Sequence, residues 1–322
     1  MKVYRSLGEV PRDFGPSALT IGNFDGVHYG HRRILRRVRE VAADRGWKPS
    51  VLTFDPHPTR VVAPQRTPPL LTQPEARVEL MREEGIEQVL ILPFTHEVAQ
   101  LSAEEFVTHL LEDALGARAV MVGDNFRFGH KQAGNVAVLA ALGGKLGFET
   151  EVVPEVSCRG RVVSSSAVRN LIRAGNVSMA ARFLTRPYGL AGRVVSGRGV
   201  GSKQTVPTLN LATTAEVLPA TGVYVTHTRD LDAIREWRSI TNVGYRPTFG
   251  ESPELSIETF LLDPLNGEPP ARIRVDFLRR VREERKFDTP EALRTQIFKD
   301  VAAAQKYFRR VKAWIGRACI SC

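Results

Sequence analysis

The chain has 322 residues, room for two domains rather than one small core. Its 43% hydrophobic and 25% charged residues describe an ordinary globular protein, and no run approaches the ~20 apolar residues of a membrane span. A formal charge of +10 invites a nucleic-acid partner. Yet Arg32, Arg33, Arg36, Arg37 and Arg39 are spread along a helical stretch like a solvated face, and the surplus suits anionic small molecules as well as RNA. The opening residues Met1 to Arg5 lack the apolar core of a signal peptide. A cytoplasmic protein acting on small molecules, without a nucleic-acid or membrane partner, is expected. Three cysteines are no disulfide framework, and the lone CxxC of Cys319 and Cys322 cannot supply four metal ligands. It reads as a tail without a redox role.

The first half alternates strands and helices. Ala18 to Gly22 is a short apolar strand. A helix follows from about His31 to Arg45, with Ile34, Val38, Val41 and Ala42 on one side. Val51 to Phe54 is the next strand, ended by Pro56 and Pro58. Pro74 to Glu84 reads as a helix and Val89 to Leu92 as a strand. Ser102 with Glu105 has capping-box spacing and starts a helix running to about Leu115. Ala119 to Val122 is a strand, Val136 to Leu146 a helix, and Val152 and Val153 belong to a further strand. This alternation predicts an α/β fold, a mostly parallel sheet with helices on both faces.

The character changes near Arg186-Pro187-Tyr188-Gly189. Short strands follow at Leu190 to Val195, Val223 to Thr228, Trp237 to Val243, Ile257 to Leu262 and Ile273 to Phe277, punctuated by Gly and Pro. They predict a small antiparallel sheet or barrel, closed by a helix from Pro290 to about Ile315. The boundary is expected between residues 185 and 186, giving domains 1–185 and 186–322.

The run Ile21-Gly22-Asn23-Phe24-Asp25-Gly26-Val27-His28-Tyr29-Gly30-His31 leaves the first strand and enters the first long helix. Glycines permit tight turns and close approach of a phosphate, and a helix start offers free N–H groups to it. His28 and His31, three apart, can donate hydrogen bonds to an oxygen that gains charge. The pattern is neither a GxxxxGK[ST] loop nor a GxGxxG fingerprint.

This string resembles the HxGH nucleotidyltransferases, and more closely the bacterial bifunctional riboflavin kinase/FAD synthetases. Phe54-Asp55-Pro56-His57-Pro58 is similar to that family's FxPHP loop, and Gly123 to Gly129 to its GxDFRFG segment. Arg161, Ser164, Ser165, Ser166 and Arg169 are similar to its RxxxSSTxIR motif, with Ser166 in place of threonine. The second half carries Gly192 to Leu211, similar to GxVxxGxxxGRxLGxPTANL; Asn242 to Gly250, similar to NxGxxPTF; and Glu258 to Asp263, similar to ExHxLD. Thr205 and Val206 depart from the pattern, as does Phe260, which stands where the family has histidine.

The resemblance implies a Rossmann-like HxGH domain followed by a β-barrel kinase domain. It implies ATP-dependent phosphorylation of riboflavin to FMN, then adenylylation of FMN to FAD with release of pyrophosphate. His28, His31 and Glu258 would be catalytic, Glu258 as general base toward the ribityl hydroxyl. Gly22, Phe24, Gly26, Asn125, Arg161, Ser164, Ser165 and Arg169 would hold nucleotide or phosphate. Phe54, Pro56, Pro58, Phe126, Phe128 and Arg282 would meet flavin. Thr208 and Asn210 would meet Mg²⁺, which favours hard oxygen donors. Self-association is left open, as is a monofunctional FAD synthetase with a decayed kinase half.

Overall fold

The computed structural model describes residues 1–195, 208–246 and 254–315. The chain divides into two compact units, Met1–Ser165 and Ser166–Cys322. The expected strands and helices all occur.

In the first unit the strands are β1 (Lys2–Tyr4), β2 (Ser17–Ile21), β3 (Lys48–Asp55), β4 (Gln88–Pro93), β5 (Ala117–Gly123) and β6 (Glu149–Val153). They form one sheet in the order β1-β4-β3-β2-β5-β6, with every pair parallel. Parallel strands are covered on both faces, which explains why Ser17 to Ile21 is buried throughout. Alternate residues feed two cores. On one face Ala18, Val51, Val89 and Met121 meet Leu35, Val38 and Ala42 of α1 (Tyr29–Arg45) and Val78 and Met81 of α3 (Pro74–Glu83). On the other, Leu19, Leu52, Leu90 and Val120 meet Phe106, Val107, Leu110, Leu111 and Leu139. Each of the larger apolar side chains contributes about 1.5–3 kcal/mol relative to exposure.

Three short helices also belong to this unit: α2 (Pro58–Val62), α4 (His96–Gln100) and α5 (Ala103–Glu105). The Ser102–Glu105 capping box forms as expected. From Phe106 to Ala114 the helix widens into π winding rather than α. Phe106, Val107, Leu110 and Leu111 bury in this winding, and their spacing is equally at home on one face of an α-helix, so the pattern could not distinguish the two. After α6 (Val136–Leu146), a hairpin of β7 (Ser157–Cys158) and β8 (Arg161–Val162) precedes α7 (Ser165–Arg173). Arg33, Arg36 and Arg39 of α1 are exposed as a surface face, but Arg32 is not: its side chain is largely buried and reaches buried Glu84 at 2.5 Å, while Arg36 reaches Glu84 at 2.9 Å and Arg37 reaches Glu151 at 2.7 Å.

In the second unit β9 (Tyr188–Val195), β10 (Thr208–Ala212), β11 (Gly222–Asp230), β12 (Glu236–Arg246), β13 (Glu254–Leu261) and β14 (Arg272–Arg282) close into an antiparallel barrel, in the order β10-β13-β12-β11-β14-β9. Val223, Val225 and Ile240 pack with Ala304 of α9 (Pro290–Ile315), so these positions face outward beneath that helix. The alternate positions face inward. There Thr226, Thr228, Ser239, Thr241 and Thr259 are fully buried and bonded to one another at 2.7–3.0 Å. Helices α7 and α8 (Val177–Leu184), which precede the expected boundary, group with the barrel, where Ser178 Oγ donates to Leu278 O at 2.9 Å.

Candidate functional sites

In the first unit the chain turns from β2 to β3 on one side and places β5 on the other, so the loops after β2 and β5 meet at the carboxyl ends of the strands. Open α/β sheets bind ligands at such a switch point. A cleft of about 740 Å³ lies there. Its walls include the expected Gly22, Phe54, Pro58, Asn125, Phe126 and Phe128. Phe126 stacks on Phe128 with centroids 5.4 Å apart, and Phe54 meets Phe94 edge-on at 5.4 Å.

The loop from Gly22 to His28 is built around a buried carboxylate. Asp25 accepts from Leu71 N and Thr72 N at 3.0 Å and from Thr72 Oγ1 at 3.3 Å. Gly26 takes φ +84°, and its neighbours Phe24 and Val27 take +49° and +37°. Such φ values cost non-glycine residues about 1–3 kcal/mol each. Hydrogen bonds to a charged group contribute about 1.5–3 kcal/mol each, enough to hold the turn.

The turn delivers His28 as the N-cap of α1, its Nδ1 accepting from His31 N at 3.3 Å. Because Nδ1 accepts, the neutral ring carries its proton on Nε2 and can donate it. The His28 and His31 rings stack 3.6 Å apart and 15° from parallel. Gly30 makes room, since a Cβ there would lie 3.2 Å from His28 Cε1. Burial first, then electrostatic interaction with His28 and Arg77, push His31 well below the ordinary histidine pKa. Its Nδ1 is buried without a partner. Phe24 lies in the core, edge-on to His31 at 5.1 Å.

The segment before α7 returns to this turn. Ser165 Oγ donates to Asp25 O at 2.8 Å, and Val163 O lies 3.9 Å from the Cβ position of Gly30. Ser164 is half-buried, Arg161 is exposed on β8, and Arg169 is buried in α7 of the second unit. Pro56 follows Asp55 in a cis peptide bond at the end of β3. Sequence reasoning passed over three residues. Asn23 Nδ2 lies 3.1 Å from His57 Nε2 on the cleft wall, and Arg77 is buried behind the turn. Asn23 and His57 stood inside quoted motifs; Arg77 sits in a helix whose pattern marks nothing but amphipathicity.

In the second unit, Asn210 on β10 pairs in register with Glu258 on β13, which pairs with Asn242 on β12. Thr208 pairs with Phe260 one step along the same face. All lie on the outward face shared with Ile240 and α9. Ser256 Oγ donates to Glu258 Oε1 at 3.0 Å. A hydroxyl, an amide and a carboxylate on one face are hard oxygen donors. Among the described residues no cluster of three His, Cys, Asp or Glu forms a protein-only metal cage. This donor set fits Mg²⁺, which commonly keeps waters and nucleotide phosphates as further ligands. Arg282 is anchored by Asp300, with Nε at 2.9 Å and Nη2 at 2.8 Å, and its guanidinium lies over Phe287. Thr205, Val206, Pro207, residues 247–250, Cys319 and Cys322 lie outside the described residues.

A family model described as FAD synthetase matches residues 11–167, and one described as riboflavin kinase matches residues 184–308. The fold agrees with this division, giving a two-unit protein with an FAD-synthetase-type α/β half and a riboflavin-kinase-type barrel half. The bifunctional riboflavin kinase/FMN adenylyltransferase of Pseudomonas fluorescens is 37% identical over 311 residues, 95% of this chain and 97% of its own. That of Escherichia coli K12 is 32% identical over 316 residues, 97% of this chain and 99% of its own. The chain belongs to the bifunctional riboflavin kinase/FMN adenylyltransferase family. A crystal structure of a macrolide-efflux protein from Streptococcus pneumoniae is also similar, with a TM-score of 0.83 at 26% identity over 94% of this chain and 98% of its own. No helix among the described residues is long and apolar enough to cross a membrane.

Proposed function

We infer that this chain phosphorylates riboflavin to FMN in its barrel half and adenylylates FMN to FAD in its α/β half, with ATP as co-substrate in both. The observation that carries this reading is the pair of family matches, one on each half of a chain that its bifunctional relatives match from end to end. We assign adenylylation to residues 1–185 and phosphorylation to 186–322, with α7 and α8 as footing for the barrel. Small molecules are the partners this reading implies, in the cytoplasm and without nucleic acid, with self-association left open.

In adenylylation the FMN phosphate is itself the nucleophile, so the protein needs no covalent side chain. His28 and His31 donate to phosphate oxygens that gain charge at the pentacoordinate phosphorus. Helix α1 adds its free N–H groups and positive end. Gly22 and Gly26 let the chain approach the nucleotide, and Phe24 supports His31 from the core. Asn125, Arg161, Ser164, Ser165 and Arg169 hold the phosphates, and Phe54, Pro56, Pro58, Phe126 and Phe128 receive the flavin.

In phosphorylation Glu258 accepts the proton of the ribityl hydroxyl as that oxygen attacks the γ-phosphorus. Thr208 and Asn210 would hold Mg²⁺ beside it, which when bound neutralises phosphate charge. Arg282 contacts flavin from its anchorage on Asp300.

Labelled ATP tests both steps. Label in the γ-phosphate is expected in FMN and FAD, and label in the α-phosphate in FAD alone. Absence of α-label from every flavin would refute the adenylyltransferase, and absence of γ-label the kinase.

A further inference from the structure

One buried charged side chain near the first site has no part in the chemistry assigned to the histidine pair. Arg77, on α3, is 3% exposed. Its Nη1 donates to Asn23 O at 2.6 Å and its Nη2 to Phe54 O at 3.3 Å. Asn23 belongs to the loop that ends at His28, and Phe54 to the strand end that leads into the cleft wall. The Nε of Arg77 is buried with no partner. Burial therefore lowers the guanidinium's pKa, and the charges of Asp25, Asp55 and Glu75 oppose that shift. A buried, incompletely satisfied guanidinium is an expensive way to fill space, and an apolar side chain of similar volume is often no less stable there. Its cost is explained if it acts on the site.

Resting on the adenylylation reading, we propose that Arg77 is a positioning residue of that reaction, clamping the histidine loop to the cleft wall. The planar fork reaches the two carbonyls from two separate nitrogens held in a fixed geometry, which the single ammonium nitrogen of a lysine does not reproduce. It thereby fixes the separation between the flavin wall and the histidine pair, on which an in-line transfer depends. Its positive charge also disfavours a proton on His31. The groups acting on that ring are His28, stacked from the helix start, and Arg77 from α3. Asp25 in the turn, Asp55 at the end of β3 and Glu75 on α3 offset the charge of Arg77 itself. A neutral His31 keeps a lone pair and a single donor, which it can commit to one phosphate oxygen without the salt-like grip of an imidazolium.

Two substitutions separate the clamp from the charge, read in the full chain by imidazole NMR titration and by steady-state kinetics of both half-reactions. Arg77→Met removes both. His31 is expected to titrate somewhat higher, since burial and His28 still hold it down, and kcat for FMN adenylylation to fall about tenfold to a hundredfold. Arg77→Lys keeps the charge and loses the bridge. His31 is expected to titrate as in the parent while adenylylation kcat still falls, with the KM values for FMN and ATP little changed. Riboflavin phosphorylation stays parental in both, which separates a local effect from general damage. A folded Arg77→Met protein with parental His31 titration and parental adenylylation kcat would overturn the proposal. If Arg77→Met does not fold, Arg77→Lys decides, and parental adenylylation in that variant would overturn the clamp. The NMR titration needs no turnover, so failure of the proposal is distinguishable from failure of the assigned activity.

Discussion

Replacing Glu258 with glutamine removes the negative base while keeping the side chain's size and shape. Glu258 sits in mid-strand, paired in register with Asn210 on one side and Asn242 on the other. Its Oε1 accepts from Ser256 Oγ at 3.0 Å. A glutamine Oε1 accepts that same bond, so the change in stability should stay within about 1 kcal/mol. The reaction loses its proton acceptor. General-base assistance contributes roughly a hundredfold to ten-thousandfold. A loose phosphoryl transition state asks less of its base, so a loss of about a hundredfold, or about 2.7 kcal/mol, is expected. The assay is steady-state kinetics of both half-reactions, with circular dichroism as fold control. FMN formation should lose kcat with little change in the KM for riboflavin or ATP, and FAD formation from supplied FMN should be parental. A folded Glu258→Gln protein with parental kcat for FMN formation would refute the general-base role and the reading of the outward face as the reacting face.

The histidine pair predicts the converse split: His28→Ala and His31→Ala should each lower FMN adenylylation by roughly a hundredfold, the usual cost of one transition-state donor, and leave riboflavin phosphorylation intact, as measured by the same two assays. His31 also predicts a pH effect. Its folded-state pKa lies below its unfolded value, so the unfolded chain binds the proton first, and the stability His31 contributes is present above about pH 6.5 and lost as pH falls through the folded pKa. Thermal denaturation at pH 7.5 and 5.5 should therefore show a larger acid-induced loss of Tm in the parent than in His31→Ala; equal losses would count against the depressed pKa. The third concerns the barrel's footing. Phe183 and Leu184 at the end of α8 are each 1% exposed. A fragment of residues 166–322 should outlast one of 186–322 in urea by several kcal/mol, at about 1.5–3 kcal/mol per buried side chain. Equal midpoints would show that the helices are dispensable.

Much of the fold was readable because its signals are local. The capping box at Ser102, the strand runs of the parallel sheet and the Gly- and Pro-punctuated strands of the barrel all form where their patterns stand. What escaped depended on partners distant in sequence. Short β1 pairs only with β4, far along the chain, and carries no pattern of its own. Helices α7 and α8 read as part of the first half by position, yet their apolar faces group with the barrel. The histidine pair was legible from spacing because three residues on a helix start bring two rings to one side. Arg77 was not, since the role proposed for it depends on carbonyls supplied by a loop 54 positions and a strand end 23 positions earlier in the chain. The roles of Asn210 and Glu258 rested on resemblance alone, and only the strand register puts the two opposite each other.

That one chain performs two reactions in series is decided by a time course with riboflavin, ATP and Mg²⁺. Flavins separated by chromatography should show FMN rising first and FAD following at its expense, with pyrophosphate released in step with FAD. Riboflavin left unchanged while supplied FMN still becomes FAD would contradict the bifunctional reading, and riboflavin converted to FMN that never becomes FAD would contradict it from the other side.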